Sequence, residues 1–417
     1  MTNNLNKYNM SDAEIEDLLN AELARQNQRI ELIASENYPS KEILDACGSI
    51  AICKYAEGYP NKRYYGGCEY IDKIEQLAID RLCKVFKCKH ANVQPHCGST
   101  ANFAAYRALL PNGGTILSMD LNSGGHLTHG SPVSFSSKMY HFDFYVLDET
   151  GHIDYADLEQ KIKDAQPDVV LCGGSAYPYE VEFNKIREII DRVKPHTYLM
   201  ADIAHIAGLI AAEEHQSPFP ACDVVTTTTH KTLRGPRGGA IMWNRDDLTK
   251  AINSAVFPFT QGGPLENIIA GKAIMALEAS KPSFKRYIQQ VKENTKAIQS
   301  TLKSLGCAVS DTDNHLFLLN TLETFGLTGL DAQKKLEEIG ITTNKNMLPG
   351  DTLSPAKTSG LRIGCAAVTT RGATVTNCVF IAFLIYAYLS NIISKEEAVN
   401  CVRQVADTWK DISNLGE

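Results

Sequence analysis

The apolar positions of this chain change their period along its length, and that change outlines the architecture. Near the start, Ser11-Asp-Ala-Glu14 has the form of a capping box. Ile15, Leu18, Leu19 and Leu23 follow at helical spacing, so a helix is expected to open there. Residues 1–30 then read as an N-terminal arm, either wrapped on a partner subunit or lying as a plain surface helix. From Ala91 short apolar or β-branched runs alternate with helical segments. Ala91-Asn-Val-Gln94, Thr115-Ile-Leu-Ser-Met119, Tyr140 to Val146, Val169-Val-Leu-Cys172, Tyr198-Leu-Met-Ala-Asp202 and Asp223-Val-Val-Thr-Thr227 read as strands. Between them lie helices from Gly98 to Leu110, from Tyr155 behind its cap Asp154, and from Phe183 to Val193. This rhythm predicts an α/β domain with a largely parallel sheet. After Gly263 the pattern lengthens: Leu265 to Ala279 and Ser283 to Leu305 are helical. Strand-like His315 to Leu319, a helix Asp331 to Ile339 stopped by Gly340, and strand-like Ile341-Thr-Thr343 and Gly360 to Gly364 follow. The expected division is a large domain over 31–280 and a smaller α+β domain over 281–417.

Composition narrows the classes. An apolar content of 44% and a charged content of 21% are those of an ordinary globular protein, and 417 residues suffice for two or three domains. A net charge of −7 argues against nucleic acid as a main partner, so anions must be met by local clusters of cations. Twelve cysteines form no CxxC pair and no framework, and no signal-peptide pattern precedes them. They read as reduced thiols of a cytoplasmic protein, with no metal site expected. The apolar run Cys378 to Leu389 is shorter than the ~20 residues a membrane helix needs, so a buried helix is the reading.

The chemistry concentrates at Thr226-Thr-Thr-Thr-His-Lys-Thr-Leu-Arg-Gly-Pro-Arg-Gly-Gly239. Lys231 stands at the mouth of a strand, beside His230 and upstream of Arg234 and Arg237. Clustered cations depress a lysine's pKa, which suits Schiff-base chemistry, and they also form a nest for an anion. A carbonyl cofactor that carries a phosphate uses both properties. The Tyr198 strand ends in Asp202, with His205 just beyond. An acid on one strand end and a His-Lys pair on another is the arrangement that pyridoxal phosphate enzymes need, the acid keeping the pyridine nitrogen protonated.

Several long motifs carry a resemblance. Ala34-Ser-Glu-Asn37, Lys54-Tyr-Ala-Glu-Gly-Tyr-Pro60, Lys62-Arg-Tyr-Tyr-Gly-Gly-Cys68, Gly124-Gly-His-Leu-Thr-His-Gly130, Ala201-Asp-Ile-Ala-His-Ile-Ala-Gly208 and the lysine segment all resemble the serine hydroxymethyltransferase family. The likeness runs from near the N-terminus to about Arg371. It implies the aspartate-aminotransferase-like fold, type I among pyridoxal phosphate enzymes. It also implies interconversion of serine plus tetrahydrofolate with glycine plus 5,10-methylenetetrahydrofolate, part of one-carbon metabolism and amino-acid biosynthesis.

By the same resemblance, Lys231 is the Schiff-base lysine and Asp202 the acid on the ring nitrogen. His126 lies face-on to the ring and His205 beside it; Ser175 is a further contact. Gly98-Ser99-Thr100 follows a strand and opens a helix. Taken alone it is a Ser cap or a phosphate site; beside a cofactor lysine, Gly98, Ser99 and Thr100 become phosphate-binding, with Thr228 and His230 assisting. Arg362, inside the apolar Gly360 to Gly364 pattern, is either salt-bridged or an amino-acid carboxylate clamp; the resemblance implies the clamp, assisted by Ser35. Glu57 lies among Tyr55, Tyr59, Tyr64 and Tyr65, and a carboxyl walled by tyrosines can have its pKa raised and serve as a proton donor. The resemblance implies that this loop enters the neighbouring subunit's site in a homodimer. There Tyr55, Gly262 and Gly263 meet phosphate and Tyr65 meets substrate. Folate contacts map to Glu57, Tyr64, Leu121, Gly125, His126, Leu127, Asn346, Ser354, Pro355 and Ala356. The chain departs from the family pattern at Cys97, Thr100, Ala356, Cys365-Ala366 and the Tyr179 to Glu182 stretch. Two rival readings stay open: a folate-independent pyridoxal phosphate aldolase for 3-hydroxy amino acids, and a degenerate binding protein without catalysis.

Overall fold

The computed structural model describes residues 8–416, which form two compact units. The larger comprises 42–289 with 348–351; the smaller comprises the residues up to 41, 290–347 and 352 onward.

In the larger unit seven strands make one mixed sheet: β1 (His90–Asn92), β2 (Thr115–Met119), β3 (His141–Tyr145), β4 (Val169–Cys172), β5 (Tyr198–Asp202), β6 (Val224–Thr228) and β7 (Gly239–Trp243). Their order is β1-β7-β6-β5-β4-β2-β3. All share one direction except β7, which runs antiparallel to both β6 and β1. Strands buried on both faces read as unbroken apolar runs, as in Val169-Val-Leu-Cys172. Alternate residues Ile116, Val169, Leu171, Met200, Val224 and Ile241 pack with Ala101, Ala105 and Tyr106 of the helix Gly98–Leu109. Burying side chains of this size contributes about 1.5–3 kcal/mol each. The chain passes from β2 outward to β3, then back to β4 on the other side. That reversal opens a crevice at the carboxyl ends of the strands, where ligands of open α/β sheets bind.

The α/β sheet domain thus takes the expected class. The helix Glu69–Phe86 has no counterpart in the sequence reading, although its buried Ile71, Glu75, Ala78, Leu82 and Phe86 recur at helical spacing.

In the smaller unit, β8 (Leu316–Asn320), β9 (Asn344–Asn346) and β10 (Gly360–Gly364) form an antiparallel sheet in the order β8-β10-β9. Phe317, Leu319, Leu361 and Ile363 pack against the helices Gly329–Ile339 and Val375–Leu389. The N-terminal helix is Ala13–Asn27, capped by Asp12 rather than Ser11. Its expected apolar face divides: Leu23 is buried, while Ile15 and Leu18 are exposed. The segment beyond it groups with this unit. Ile30 and Glu31 pair in parallel with Ile341 and Thr342. The buried Arg371 guanidinium donates to the carbonyls of Gln26, Asn27, Arg29, Ala406 and Lys410. Among the described residues no helix is long and apolar enough to cross a membrane.

Candidate active site

Because β1, β2, β4, β5 and β6 run the same way, the segments after their carboxyl ends gather on one edge. These segments carry Gly98-Ser99, His126, Ser175, Asp202-His205 and Lys231 in turn. Glycines permit the approach. A Cβ at Gly173 would strike the Asp202 carbonyl, and one at Gly124 would lie 3.1 Å from the Ala176 backbone. Ser175 N and Ala176 N both donate to the Gly124 carbonyl, at 2.7 and 3.1 Å. The loop carrying His126 is thereby tied to the one carrying Ser175.

Asp202 is buried at the end of β5. Its Oδ2 accepts from Asn102 Nδ2 at 2.8 Å and from His129 Nε2 at 3.1 Å; its Oδ1 accepts from Ala204 N at 3.0 Å. His129 Nδ1 accepts the His126 backbone N–H at 3.3 Å, so the ring proton sits on Nε2 and faces the carboxylate. Asn102 is held from three sides: its amide also donates to Thr128 Oγ1 at 2.8 Å, and its oxygen accepts from Thr226 Oγ1 at 2.6 Å. Thr128 Oγ1 in turn lies 2.7 Å from His126 Nδ1. Burial alone raises this carboxyl's pKa. The hydrogen bond from His129, the electrostatic pull of the His129 and His126 rings and the Asn102 amide outweigh burial and hold the group well below the usual carboxylate range. The result is a permanent buried anion, suited to keeping an opposed heterocyclic nitrogen protonated. Potential ligand atoms of His126, His129 and Asp202 lie within 4.8 Å of one another, with His129 Nε2 hydrogen-bonded to Asp202 Oδ2. Asn102 and His129 escaped the sequence reading, although the second histidine of Gly124-Gly-His-Leu-Thr-His-Gly130 was in view.

Lys231 is buried on the turn after β6, with Nζ 3.0 Å from Thr228 Oγ1. The turn is stitched to the Asp202 segment, for Thr232 Oγ1 donates to the His205 carbonyl at 2.9 Å and accepts from Gly208 N at 2.9 Å. His205 is buried beside it. The cation cluster is looser than expected. Arg237 is exposed, and Arg234 turns away to lie over the rings of Tyr287 and Phe284, 4.3 and 5.7 Å from their centroids. The neighbour that responds is His230. Burial first, then the charges of Lys231 and Arg237, push it down to about 3, which leaves it neutral. Its Nδ1 is buried with no hydrogen-bond partner among the described residues, as is His96 Nε2.

The helix Gly98–Leu109 begins against this turn. A Cβ at Gly98 would lie 2.6 Å from Thr228 Cγ2, and one at Gly239 would strike the Cys97 carbonyl. The first intrahelical bond is Ala101 N to Cys97 O at 3.0 Å, so the backbone N–H groups of Gly98, Ser99 and Thr100 precede the ladder. The Thr100 hydroxyl accepts from Cys97 N at 3.1 Å and donates to Cys97 O at 2.9 Å. Its side chain therefore serves the cap together with Cys97, whose side chain takes the Thr100 N–H, and the N–H groups of Gly98 and Ser99 stay outside the ladder.

Behind this cradle lies a residue that the sequence reading missed. Lys272, in the apolar helix Glu266–Ala279, donates to the carbonyls of Val93, Gly239 and Pro95 at 2.6, 2.8 and 3.1 Å. Burial pushes it down to about 7, while one carbonyl per N–H favours the charged form. It clamps the segment leading to Gly98 onto the start of β7.

Tyr55, Glu57, Gly262 and Gly263 come together. A Cβ on Gly262 would lie 3.4 Å from Glu57 Oε1, and one on Gly263 3.4 Å from Tyr55 Cε1. Tyr55 and Tyr65 meet edge to face at 5.2 Å, and Tyr64 lies 5.7 Å from Phe257. All three tyrosines are exposed; Tyr59 alone turns inward, donating to Asn253 O at 2.6 Å. The hairpin is anchored by Arg63, whose buried guanidinium meets Asp72 and Glu75 at 2.8 and 2.6 Å, and the carbonyls of Ala56 and Gly58 at 2.8 and 3.0 Å.

In the smaller unit Arg362 is buried on β10. It reaches Asn344 Oδ1 at 3.3 Å and Ser35 Oγ at 3.4 Å, and burial holds it down to about 10. Gly364 makes this possible, since its Cβ would lie 2.6 Å from Ala34. Asn346 is half-buried on β9, whereas Ser354, Pro355 and Ala356 are exposed; in the larger unit Leu121 is half-buried, Gly125 buried and Leu127 exposed.

Comparison with known proteins agrees with this geometry. The serine hydroxymethyltransferase family model matches residues 8–385. A serine hydroxymethyltransferase of Cyanothece sp. is 50% identical over 406 residues, covering 97% of this chain and 95% of that protein. Another, of Prochlorococcus marinus, is 53% identical over 364 residues, 87% of this chain and 88% of its own. A match of that extent, over a sheet whose strand ends collect a buried lysine and a buried acid, means that the chain belongs to the serine hydroxymethyltransferase family, and with it to fold type I.

Proposed function

We propose that this chain transfers a one-carbon unit between serine and tetrahydrofolate, giving glycine and 5,10-methylenetetrahydrofolate, with pyridoxal phosphate held at the strand ends of the larger unit. The observation that carries the reading is the pairing of a buried lysine after β6 with a buried, hydrogen-bonded carboxylate at the end of β5. The residues fit the cofactor: helix N–H groups unused by their own ladder suit a phosphate, and two buried imidazole nitrogens lack partners among the described residues. When bound, pyridoxal phosphate supplies an aldehyde for covalent capture of the amino acid and a ring that withdraws electrons.

The chain's own residues do the rest. Lys231 provides the amine, and Asp202, oriented by His129 and Asn102, keeps the ring nitrogen protonated. The backbone of Gly98 and Ser99, with Thr228 and His230, holds the phosphate. His126, His205 and Ser175 border the ring. Arg362 and Ser35 grip the substrate carboxylate, and Glu57 exchanges a proton at the hydroxymethyl oxygen, with Tyr65 beside it. Leu121, Gly125, Leu127, Tyr64, Asn346 and the Ser354-Pro355-Ala356 turn take the pterin. A homodimer sharing Tyr55, Glu57, Gly262 and Gly263 between sites is supported by apolar side chains left exposed around them, Ile50, Ile52, Tyr64 and Phe259 among them. A cytoplasmic setting is supported by twelve free cysteines.

The test is borohydride trapping of the protein loaded with pyridoxal phosphate, followed by peptide mapping. The label is expected on Lys231, and a label elsewhere or none would end the assignment. Serine cleavage measured with and without tetrahydrofolate then separates the transferase from a folate-independent aldolase.

A further inference from the structure

The helix Glu69–Phe86 ends in a cysteine-bearing turn that none of the chemistry above uses. Lys87 adopts the left-handed conformation at φ 54° and stops the helix. The next N–H, of Cys88, returns to the Cys83 carbonyl at 3.1 Å. This closure over six residues is of the Schellman type, which brings the side chains of its first and last residues into contact on one side of the helix end. Both of those residues are cysteines here, so the closure sets their thiols side by side, and each shifts the other's pKa. Both are half-buried, and Lys84, Lys87 and Lys89 around them are exposed.

In two other pairs one cysteine raises its neighbour's pKa, Cys172 that of Cys222 and Cys365 that of Cys378, but all four of those residues are sealed in cores. Among the described residues only the helix-end pair combines proximity with access.

We propose that Cys83 and Cys88 form a redox-active dithiol, converted to an intramolecular disulfide by small anionic disulfides of the glutathione class. The roles within the pair are unequal. The interaction between the two side chains holds the Cys83 thiol below the ordinary thiol range, against burial and Asp80, and holds the Cys88 thiol above it. Cys83 therefore attacks first. Its thiolate bonds to one sulfur of the oxidant and expels the other half as a thiolate, which takes up a proton. Cys88 then loses its proton to water and attacks the Cys83 sulfur, forming the protein disulfide and releasing the second half. The protein loses two electrons and two protons, and one disulfide becomes two thiols.

The experiment equilibrates the whole protein in a series of oxidised and reduced glutathione, quenches it with acid, alkylates it and maps its peptides. The expected product is a peptide joining Cys83 to Cys88, two hydrogens lighter and unalkylated, at ratios where the exposed Cys53 carries a glutathione adduct. The bond should reopen with dithiothreitol. Cys88→Ser should instead leave a stable glutathione adduct on Cys83. The proposal is overturned if both thiols remain alkylatable while Cys53 is modified, or if each carries its own glutathione. An adduct confined to Cys88 in Cys83→Ser, with none on Cys83 in Cys88→Ser, reverses the assigned order and equally defeats it.

Discussion

Lys272→Met tests whether the phosphate cradle is held from behind. The substitution keeps the length of the side chain and removes the ammonium. Three carbonyls lose a donor, but that of Pro95 keeps the Gly239 N–H at 3.0 Å, which leaves Val93 and Gly239 to bear the loss. Each buried acceptor stripped of its partner costs about 1–3 kcal/mol, and part of this is recovered because a buried charge no longer needs desolvation. The net expectation is a destabilisation of about 2–4 kcal/mol, equivalent to a fall of roughly 5–10 °C in the thermal midpoint of the apoprotein. A second readout separates cradle from core. If Lys272 sets the approach of the Gly98 segment to β7, pyridoxal phosphate should lose affinity by about tenfold more than pyridoxal, a difference of about 1.4 kcal/mol in phosphate binding. A midpoint within about 1 °C of wild type would refute the energetic reasoning, because surface-like substitutions behave that way. An equal loss for both ligands would refute the positional part.

Arg63→Met should destabilise the larger unit by about 3–5 kcal/mol, since it strands buried Glu75 beside Glu266, whose carboxyl burial pushes up to about 8; chemical denaturation of the apoprotein measures it. Acid should unfold the protein partly through His230. Its folded pKa of about 3 lies below the ordinary 6.5, so the unfolded chain binds more protons between those values. The contribution is complete above pH 6.5 and is lost as the pH falls toward 3. His230→Asn should flatten the stability profile in that window, and an unchanged slope contradicts the reasoning. Arg362→Lys should lower kcat/KM for serine by roughly 10- to 150-fold, the equivalent of about 1.5–3 kcal/mol for a charged hydrogen bond, with the protein's melting behaviour little changed.

What the sequence determined by itself was whatever depends on neighbours in the chain. The period of apolar residues located β2 to β6, and Asp154 and Gly340 marked helix ends, because caps and alternation act over a few residues. Lys231, Asp202 and Arg362 stood out equally, as polar groups set into apolar strand patterns or at strand ends, and all three are buried. The tertiary structure alone decided who meets whom. Nothing local tells that His129 will present its Nε2 proton to Asp202 across 73 residues, or that Lys272 will reach carbonyls 177 and 179 residues away. The grouping of the N-terminal segment with the smaller unit is of the same kind, resting on a two-residue parallel pairing and on the carbonyls gathered by Arg371. Buried polar groups must find partners when water is excluded, and those partners are chosen by packing in three dimensions. Periodicity says that a residue is inside; only the folded chain says what it faces there.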